Sequence, residues 1–140
     1  MNDPVKHPNH YVAMACVIEP IELTGTMNSA LGQILQYVIR YKLKGDPKEN
    51  LEKARFWTNW FIEHYFVERG CQGVEVQTRS TFEDVCIRKT FNMCYRTEDA
   101  FVNTIMYTLT SHEQVTREDM ESVLEEINMA IDELKVTHYE

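Results

Sequence analysis

The sequence predicts an all-α protein, and three observations lead to that fold class. Apolar residues recur at steps of three and four over residues 29–45 and again over residues 116–136, as on one face of a helix. Gly45 is typical of the end of a helix, and it is followed at once by Asp46 and Pro47, which are typical of the start of the next one. We therefore expect a helical hairpin core with an extended N-terminal arm and a C-terminal helical extension.

The N-terminal segment is predicted to be an extended arm followed by a short helix. Pro4 and Pro8 disfavour a helix in the arm, and the histidines and the tyrosine within residues 7–11 suit a strip that lies across a pocket. Pro20 is tolerable only in the first turn of the short helix. Asn28 or the serine after it is expected to cap the next helix.

The helix predicted over residues 29–45 has two different faces. One face is an apolar stripe made of Leu31, Ile34, Leu35, Val38 and Tyr41. Arg40, Lys42 and Lys44 are expected in the last turn, where the helix dipole favours cations, and Gly45 can adopt the positive φ that ends the helix. This helix would bury one side and present three cations at a fixed place.

The next helix is predicted to begin with Asp46 as its N-cap and to run to about Glu68, antiparallel to the central helix. It carries a dense group of aromatic side chains, namely Phe56, Trp57, Trp60, Phe61, Tyr65 and Phe66. One partner helix cannot cover all of them, and aromatic residues are enriched in subunit interfaces. The sequence therefore predicts a homo-oligomer.

A boundary is predicted between residues 1–68 and residues 69–140, because two glycines and a brief Val-x-Val alternation after the aromatic helix indicate a loop or a short extended piece. The first part is expected to be one helical domain with its arm. The second is expected to be a helical extension that packs on the first part or on a neighbouring subunit.

Three helices are expected within residues 69–140. The first covers residues 81–94, and the second is capped by Thr97 and carries two acidic residues in its first turn. The last begins with a capping box of Thr116 and Asp119.

Composition limits the classes of function. Apolar residues make up 44% and charged residues 26% of the 140 positions, and the net charge of −8 argues against broad nucleic-acid binding. No stretch is apolar enough for a signal segment or a membrane span, so we expect a cytoplasmic protein without a membrane partner. The cysteines form no CxxC pair, so no structural zinc site is expected; they are Cys16, Cys71, Cys86 and Cys94.

The motifs GxxxxGK[ST], GxGxxG, HExxH and GxSxG are all absent. Any nucleotide chemistry must therefore use side chains of the helices and the arm rather than a glycine-rich loop.

Four blocks of the first half resemble a small phage protein family whose members are described as nucleotide kinases or left without a function. The blocks are KHPNHY at 6–11, IEPIE at 18–22, GQILQYVIRYKLKG at 32–45 and NLEKA at 50–54. The resemblance covers residues 5–66. It implies a deoxynucleoside monophosphate kinase of the host cytoplasm that lacks a P-loop and works as an oligomer. It also implies a nucleoside triphosphate as phosphate donor, with Mg²⁺.

The positions that match this family are Pro8, His10, Tyr11, Glu19, Glu22, Gly32, Tyr37, Arg40, Leu51, Lys53 and Ala54. The chain departs from the family at Gln33, Gln36 and Asn50, where Asn, Lys and Asp are usual. The loss of a lysine and a carboxylate from the expected ligand face weakens the case for phosphoryl transfer more than the case for binding.

Phosphoryl transfer requires cations that neutralise phosphates and side chains that align donor and acceptor. His10 and Arg40 are the predicted catalytic residues, because a histidine can move a proton and a planar guanidinium can bind a phosphate through two hydrogen bonds. Tyr11 could stack on a base. The predicted substrate-binding residues are Lys6, His7, Tyr11, Gln33, Gln36, Tyr37, Lys42 and Lys44.

Two other functions fit the same residues. Glu19 with Glu22, and Glu49 with Glu52, are spaced to place two carboxylates on one helical face, which resembles the magnesium site of all-α nucleoside triphosphate pyrophosphohydrolases. That family usually ends the second pair in Asp, and Pro20 interrupts the first pair. The other alternative is a protein that sequesters a nucleotide without turnover, which the absence of product from labelled nucleotides would reveal.

Overall fold

The computed structural model describes residues 18–139, with side chains through residue 136. The chain is all-α, as predicted, with one two-stranded ribbon. Its elements are α1 (Pro20–Thr24), α2 (Ser29–Arg40), α3 (Pro47–Phe61), a π-helix (Ile62–Glu68), β1 (Val74–Glu75), α4 (Phe82–Cys94), α5 (Ala100–Thr110), β2 (Gln114–Val115) and α6 (Arg117–Tyr139). The predicted arm, with Lys6, His7, His10, Tyr11 and Cys16, lies outside the described residues.

The start of α2 is fixed by Asn28, one of its two predicted caps. The side-chain oxygen of Asn28 accepts hydrogen bonds from the backbone N–H groups of Ala30 and Leu31, at 3.0 and 3.4 Å. Pro20 occupies the first turn of α1, as predicted. A Cβ added at Gly32 would lie 3.2 Å from the carbonyl oxygen of Thr24, so this glycine permits the close approach of α1 and α2.

The end of α2 differs from the prediction. The helix ends at Arg40, and Lys42 and Lys44 lie in the following turn rather than in the last helical turn. The reason is buried Asn50, whose side-chain amide donates to the carbonyl oxygens of Lys44 at 2.7 Å and Tyr41 at 3.4 Å. Gly45 then adopts a φ of 80°, as predicted.

The hairpin of α2 and α3 forms the centre of the molecule. Asp46 caps α3 by accepting from the N–H of Lys48 at 3.1 Å, and Pro47 occupies the first turn, as predicted. The predicted apolar stripe of α2 is buried in full, and on α3 the buried side chains include Leu51, Ala54, Thr58 and Phe61. The helical path does continue to Glu68, but its last seven residues are a π-helix.

The second half of the chain packs on this hairpin. Helix α6 packs against α3, where Arg55 donates to the side chain of Asn128 at 3.2 Å, while α5 packs against α2. β1 pairs antiparallel with β2, with Val74 opposite Val115. The buried apolar residues of both halves form one continuous core.

The caps of the last helices confirm one prediction and correct another. Thr116 and Asp119 form the predicted capping box, with reciprocal bonds of 2.9 and 3.2 Å. The prediction that Thr97 caps α5 is wrong, because Asp99 is the N-cap and Thr97 accepts from its N–H at 3.1 Å. Within residues 18–139, no helix is both long and apolar enough to cross a membrane.

Candidate functional site

One side of α2 carries four half-buried side chains that we call the polar face: Gln33, Gln36, Tyr37 and Arg40. Their spacing of three, four and seven residues places them one above another on the helix. They lie beside the apolar stripe that anchors α2 in the core, so the backbone beneath them is held by buried packing. The polar face therefore presents its groups from a fixed helix rather than from a loop.

Tyr37 is the centre of the polar face because two cations lie over its ring. The guanidinium carbon of Arg40 is 4.6 Å from the ring centroid, and the ammonium of Lys53, from α3, is 5.6 Å from it. Such cation–π contacts orient a guanidinium without using its N–H donors. The Lys53 ammonium also lies 3.2 Å from the carboxylate of Glu49, which neutralises part of its charge.

Arg40 has an unused donor beside a small cavity. Its Nε atom is buried and has no hydrogen-bond partner in the part of the chain that the structure describes. A cavity of about 140 Å³ lies at this position, lined by Pro20, Ile21, Gln36, Ile39 and Arg40. Leaving a buried charged donor unpaired is costly, so a small shift of the guanidinium that brings Nε to an acceptor in this cavity would gain a strong hydrogen bond.

Gln36 lies in the wall of the same cavity. Its side-chain N–H donates to the hydroxyl of Thr24 at 2.8 Å, which orients the amide between α1 and α2. Four of the ten predicted catalytic and substrate-binding residues therefore lie together on the polar face, namely Gln33, Gln36, Tyr37 and Arg40. Lys53 joins them from α3, although the sequence interpretation gave it no role beyond a family match.

The other predicted cations do not join the polar face. The Lys42 ammonium is 3.3 Å from the carboxylate of Asp99, which is not part of the polar face. Lys44 is exposed, and its carbonyl oxygen accepts from Asn50. The expectation that Arg40, Lys42 and Lys44 present three cations at one place is therefore wrong, because the helix ends at Arg40.

The four glutamates of the pyrophosphohydrolase alternative do not form a metal cluster. The carboxylate of Glu49 pairs with Lys53 at 3.2 Å, and that of Glu52 lies 3.9 Å from the ammonium of Lys48. Glu19 is the N-cap residue of α1, and exposed Glu22 lies in the first turn of that helix. No group of three or more His, Cys, Asp or Glu residues within 18–139 could hold a metal ion.

A second and larger concavity lies near the end of α2, and we call it the groove. It has a volume of about 860 Å³ and lies between the turn after α2, the segment before α5, and α6. Ile39 lines both the groove and the Arg40 cavity. The sequence did not indicate the groove, because its walls come from segments that are far apart in the chain.

Asp99 is the best-connected polar residue of the groove. Its carboxylate accepts from the Tyr41 hydroxyl at 2.7 Å and from the N–H groups of Phe101 and Val102 at 2.9 and 3.4 Å, besides the ion pair with Lys42. Burial acts to raise the pKa of Asp99, but the bond from Tyr41 and the charge of Lys42 outweigh it and hold that pKa below its ordinary value. Burial and the adjacent Asp99 raise the pKa of Tyr41, so its hydroxyl stays protonated.

Comparison with known proteins gives one family match over part of the chain and no activity. Residues 5–59 match a family described as a protein of unknown function (DUF3310), which is less than half of the chain. No curated protein and no solved structure has significant similarity to this chain. All five residues that line the Arg40 cavity lie inside the matched segment, whereas most of the groove lies beyond it.

Proposed function

We propose that this protein binds a nucleotide by its phosphate group at the polar face of α2, and that it is a nucleoside monophosphate kinase without a P-loop. The observation that supports binding is that Arg40 lines a cavity while its buried Nε has no hydrogen-bond partner within residues 18–139. A planar guanidinium stacked on Tyr37 is pre-oriented for the two parallel hydrogen bonds that a phosphate accepts.

The size of the Arg40 cavity suits a phosphate group rather than a whole nucleotide. Pockets that enclose a drug-sized ligand measure about 300–1,000 Å³, and this cavity measures about 140 Å³. The sugar and base would therefore lie outside it. In this proposal His10 contacts the phosphate and Tyr11 stacks on the base, with Lys6 and His7 beside them, as the family resemblance implies.

The kinase part of the proposal assigns the polar face to the acceptor nucleotide. An oxygen of the monophosphate attacks the γ-phosphorus of a nucleoside triphosphate, the bond from that phosphorus to the β–γ bridging oxygen breaks, and two diphosphates result. Arg40 and Lys53 would offset the negative charge of the acceptor. Mg²⁺ is held mainly by substrate phosphates in such reactions, so it would arrive with the triphosphate rather than in a site made of protein carboxylates.

The test of this proposal is the affinity for each of the common deoxynucleoside monophosphates, measured by isothermal titration calorimetry. We expect Arg40→Ala to lose at least 1.5–3 kcal/mol of binding free energy, roughly tenfold or more in affinity. Arg40→Lys should also bind more weakly than wild type, because it keeps the charge but not the planar fork. Loss of affinity in both variants supports the assignment.

Arg69→Ala is the matched control for these variants. Arg69 is exposed and lies 5.6 Å from the ring of Tyr65, so its replacement also removes an arginine stacked on a tyrosine, but away from the polar face. Its affinity should equal that of wild type. Equal affinities in wild type and Arg40→Ala would refute the site.

A second candidate function, sequestration without turnover, is favoured by one observation. Lys42 is engaged by Asp99 in the groove, so the polar face has fewer cations than phosphoryl transfer was expected to use. Binding needs fewer cations than catalysis does. Transfer of label from a γ-labelled triphosphate to the best-bound monophosphate would exclude this candidate, whereas tight binding without labelled product would favour it over the kinase.

Self-association is also part of the proposal. Phe56 and Trp60, one helical turn apart on α3, expose 60 and 40% of their surface, and Val67 of the π-helix exposes 47%. Large apolar side chains that cluster on an exposed surface indicate a protein contact. We call these three residues the aromatic face and assign it to contact between copies of this chain.

A further inference from the structure

We infer that the groove is a second nucleotide-binding site, distinct from the Arg40 cavity. The groove has a volume of about 860 Å³, six times that of the Arg40 cavity. This volume lies within the range of about 300–1,000 Å³ that encloses whole small-molecule ligands. The groove can therefore hold a base and a sugar, which the Arg40 cavity cannot.

The apolar part of the groove suits a flat ring. Half-buried Phe101 and 44%-exposed Leu43 line it together with Val102 and Ala130. The ring of Phe101 is held edge-on against that of Tyr41, with centroids 5.6 Å apart and planes at 89°. A base that stacks on an aromatic side chain of fixed orientation loses little conformational freedom in the protein.

The cations of the groove suit a phosphate. Lys42 leaves 59% of its side chain exposed, so two of its three N–H donors can serve a ligand while the third faces Asp99. Arg96 donates from one terminal nitrogen to the carbonyl oxygens of Asn92 and Tyr95, at 2.7 and 2.6 Å. These bonds fix its position and leave the donors of its other two nitrogens for phosphate oxygens.

The groove is lined by the three acids Glu98, Asp99 and Glu133 besides its two cations, so Mg²⁺ must accompany a polyphosphate that binds there. Asp99 is already bonded by Tyr41, Lys42 and two backbone N–H groups, so its charge is offset within the protein. Exposed Glu98 can accept from a base amino group or a sugar hydroxyl. A nucleotide carries a ring, hydrogen-bond donors and a phosphate, and so matches all three parts of the lining.

The position of the groove suggests the role of this second nucleotide. Ile39 lines both concavities, so they are neighbours at the last turn of α2. A reaction between two nucleotides requires two such neighbouring sites, and we assign the triphosphate donor to the groove. This role rests on the proposed kinase function, whereas the existence of the second site does not.

The experiment is a calorimetric titration of the full-length protein with Mg²⁺ and AMP-PNP, an ATP analogue whose terminal phosphate is not transferred. Wild type is compared with Lys42→Ala/Arg96→Gln, with the single variant Arg96→Gln, and with Arg40→Ala. Lys48→Ala is the control, because it removes an exposed lysine that lines neither concavity. We expect about tenfold or greater loss of affinity in the double variant, a smaller loss in Arg96→Gln, and less than twofold change in Lys48→Ala.

Each outcome decides the inference separately from the proposed function. Equal AMP-PNP affinity in wild type and in folded groove variants would overturn the inference. Loss of AMP-PNP affinity in Arg40→Ala alone would overturn it too, as would the absence of AMP-PNP binding to wild type. In those cases the proposed phosphate site still stands if monophosphate affinity depends on Arg40. Circular dichroism verifies folding, and Arg96→Gln decides the result by itself if the double variant does not fold.

Discussion

Asn50 is the residue whose identity determines where α2 ends. Only 6% of its surface is exposed, and its side-chain N–H group serves the carbonyl oxygens of Lys44 and Tyr41. A carboxylate cannot donate, so Asp at this position could make neither bond.

We predict that Asn50→Asp destabilises the fold at neutral pH. The variant would place a buried carboxylate against two carbonyl oxygens, which should lower the free energy of unfolding by about 2–3 kcal/mol. Urea denaturation measures the change. Asn59→Asp, at an exposed position of the same helix, makes the same chemical substitution and should have little effect. Similar midpoints for Asn50→Asp and wild type would contradict the role given to Asn50.

Individual residues also show how much of the candidate site could be predicted from the sequence. Gln36, Tyr37 and Arg40 were named from the sequence and do lie together on α2. The engagement of Lys42 by Asp99 was not foreseen, because it joins positions 57 residues apart and depends on how α5 packs against α2. Local spacing carries no information about such a contact, whereas it does specify which residues share one helix face.

At the scale of elements, the π-helix changes the spacing of buried apolar residues that the sequence predicted. An α-helix would have continued the apolar stripe from Phe61 to Tyr65, four positions on. In the structure Phe61 and Phe66 are buried, five positions apart, and Tyr65 is half-buried. This spacing is that of the i to i+5 hydrogen bonds of a π-helix. Caps and helical periodicity predicted the other helices well, but a π-helix has no such local signature.

We predict that the aromatic face mediates self-association. Multi-angle light scattering should give a mass well above the 16.5 kDa of one chain for wild type, and about that of one chain for Phe56→Ser/Trp60→Ser. Tyr107→Ser is the control, since Tyr107 is 60% exposed on α5, outside the aromatic face, and its replacement should leave the oligomer intact. A wild-type protein that remains monomeric at micromolar concentration would refute the assignment.

At the scale of the whole molecule, the two halves of the chain carry different net charges. Residues 70–140 hold six Lys/Arg against fourteen Asp/Glu, whereas residues 1–69 hold eight of each, so the second half carries the net charge of −8. The Arg40 cavity lies entirely in the neutral half, where an anion meets the least repulsion.

The fold class, the hairpin and most caps followed from the sequence. The groove did not, because it exists only when the two halves are packed together.

Asn28 connects segments that are distant in sequence. Besides capping α2, its side-chain N–H donates to the Tyr65 hydroxyl at 3.0 Å, and its backbone N–H donates to the carbonyl of Val76 at 2.7 Å. Loss of this one residue would therefore loosen the start of α2, the π-helix and the segment after β1 together. The consequence is cooperative unfolding. The fluorescence of Trp57 and Trp60, both on α3, should change at the same temperature as the circular dichroism of all helices, and two separate transitions would show that the halves melt independently.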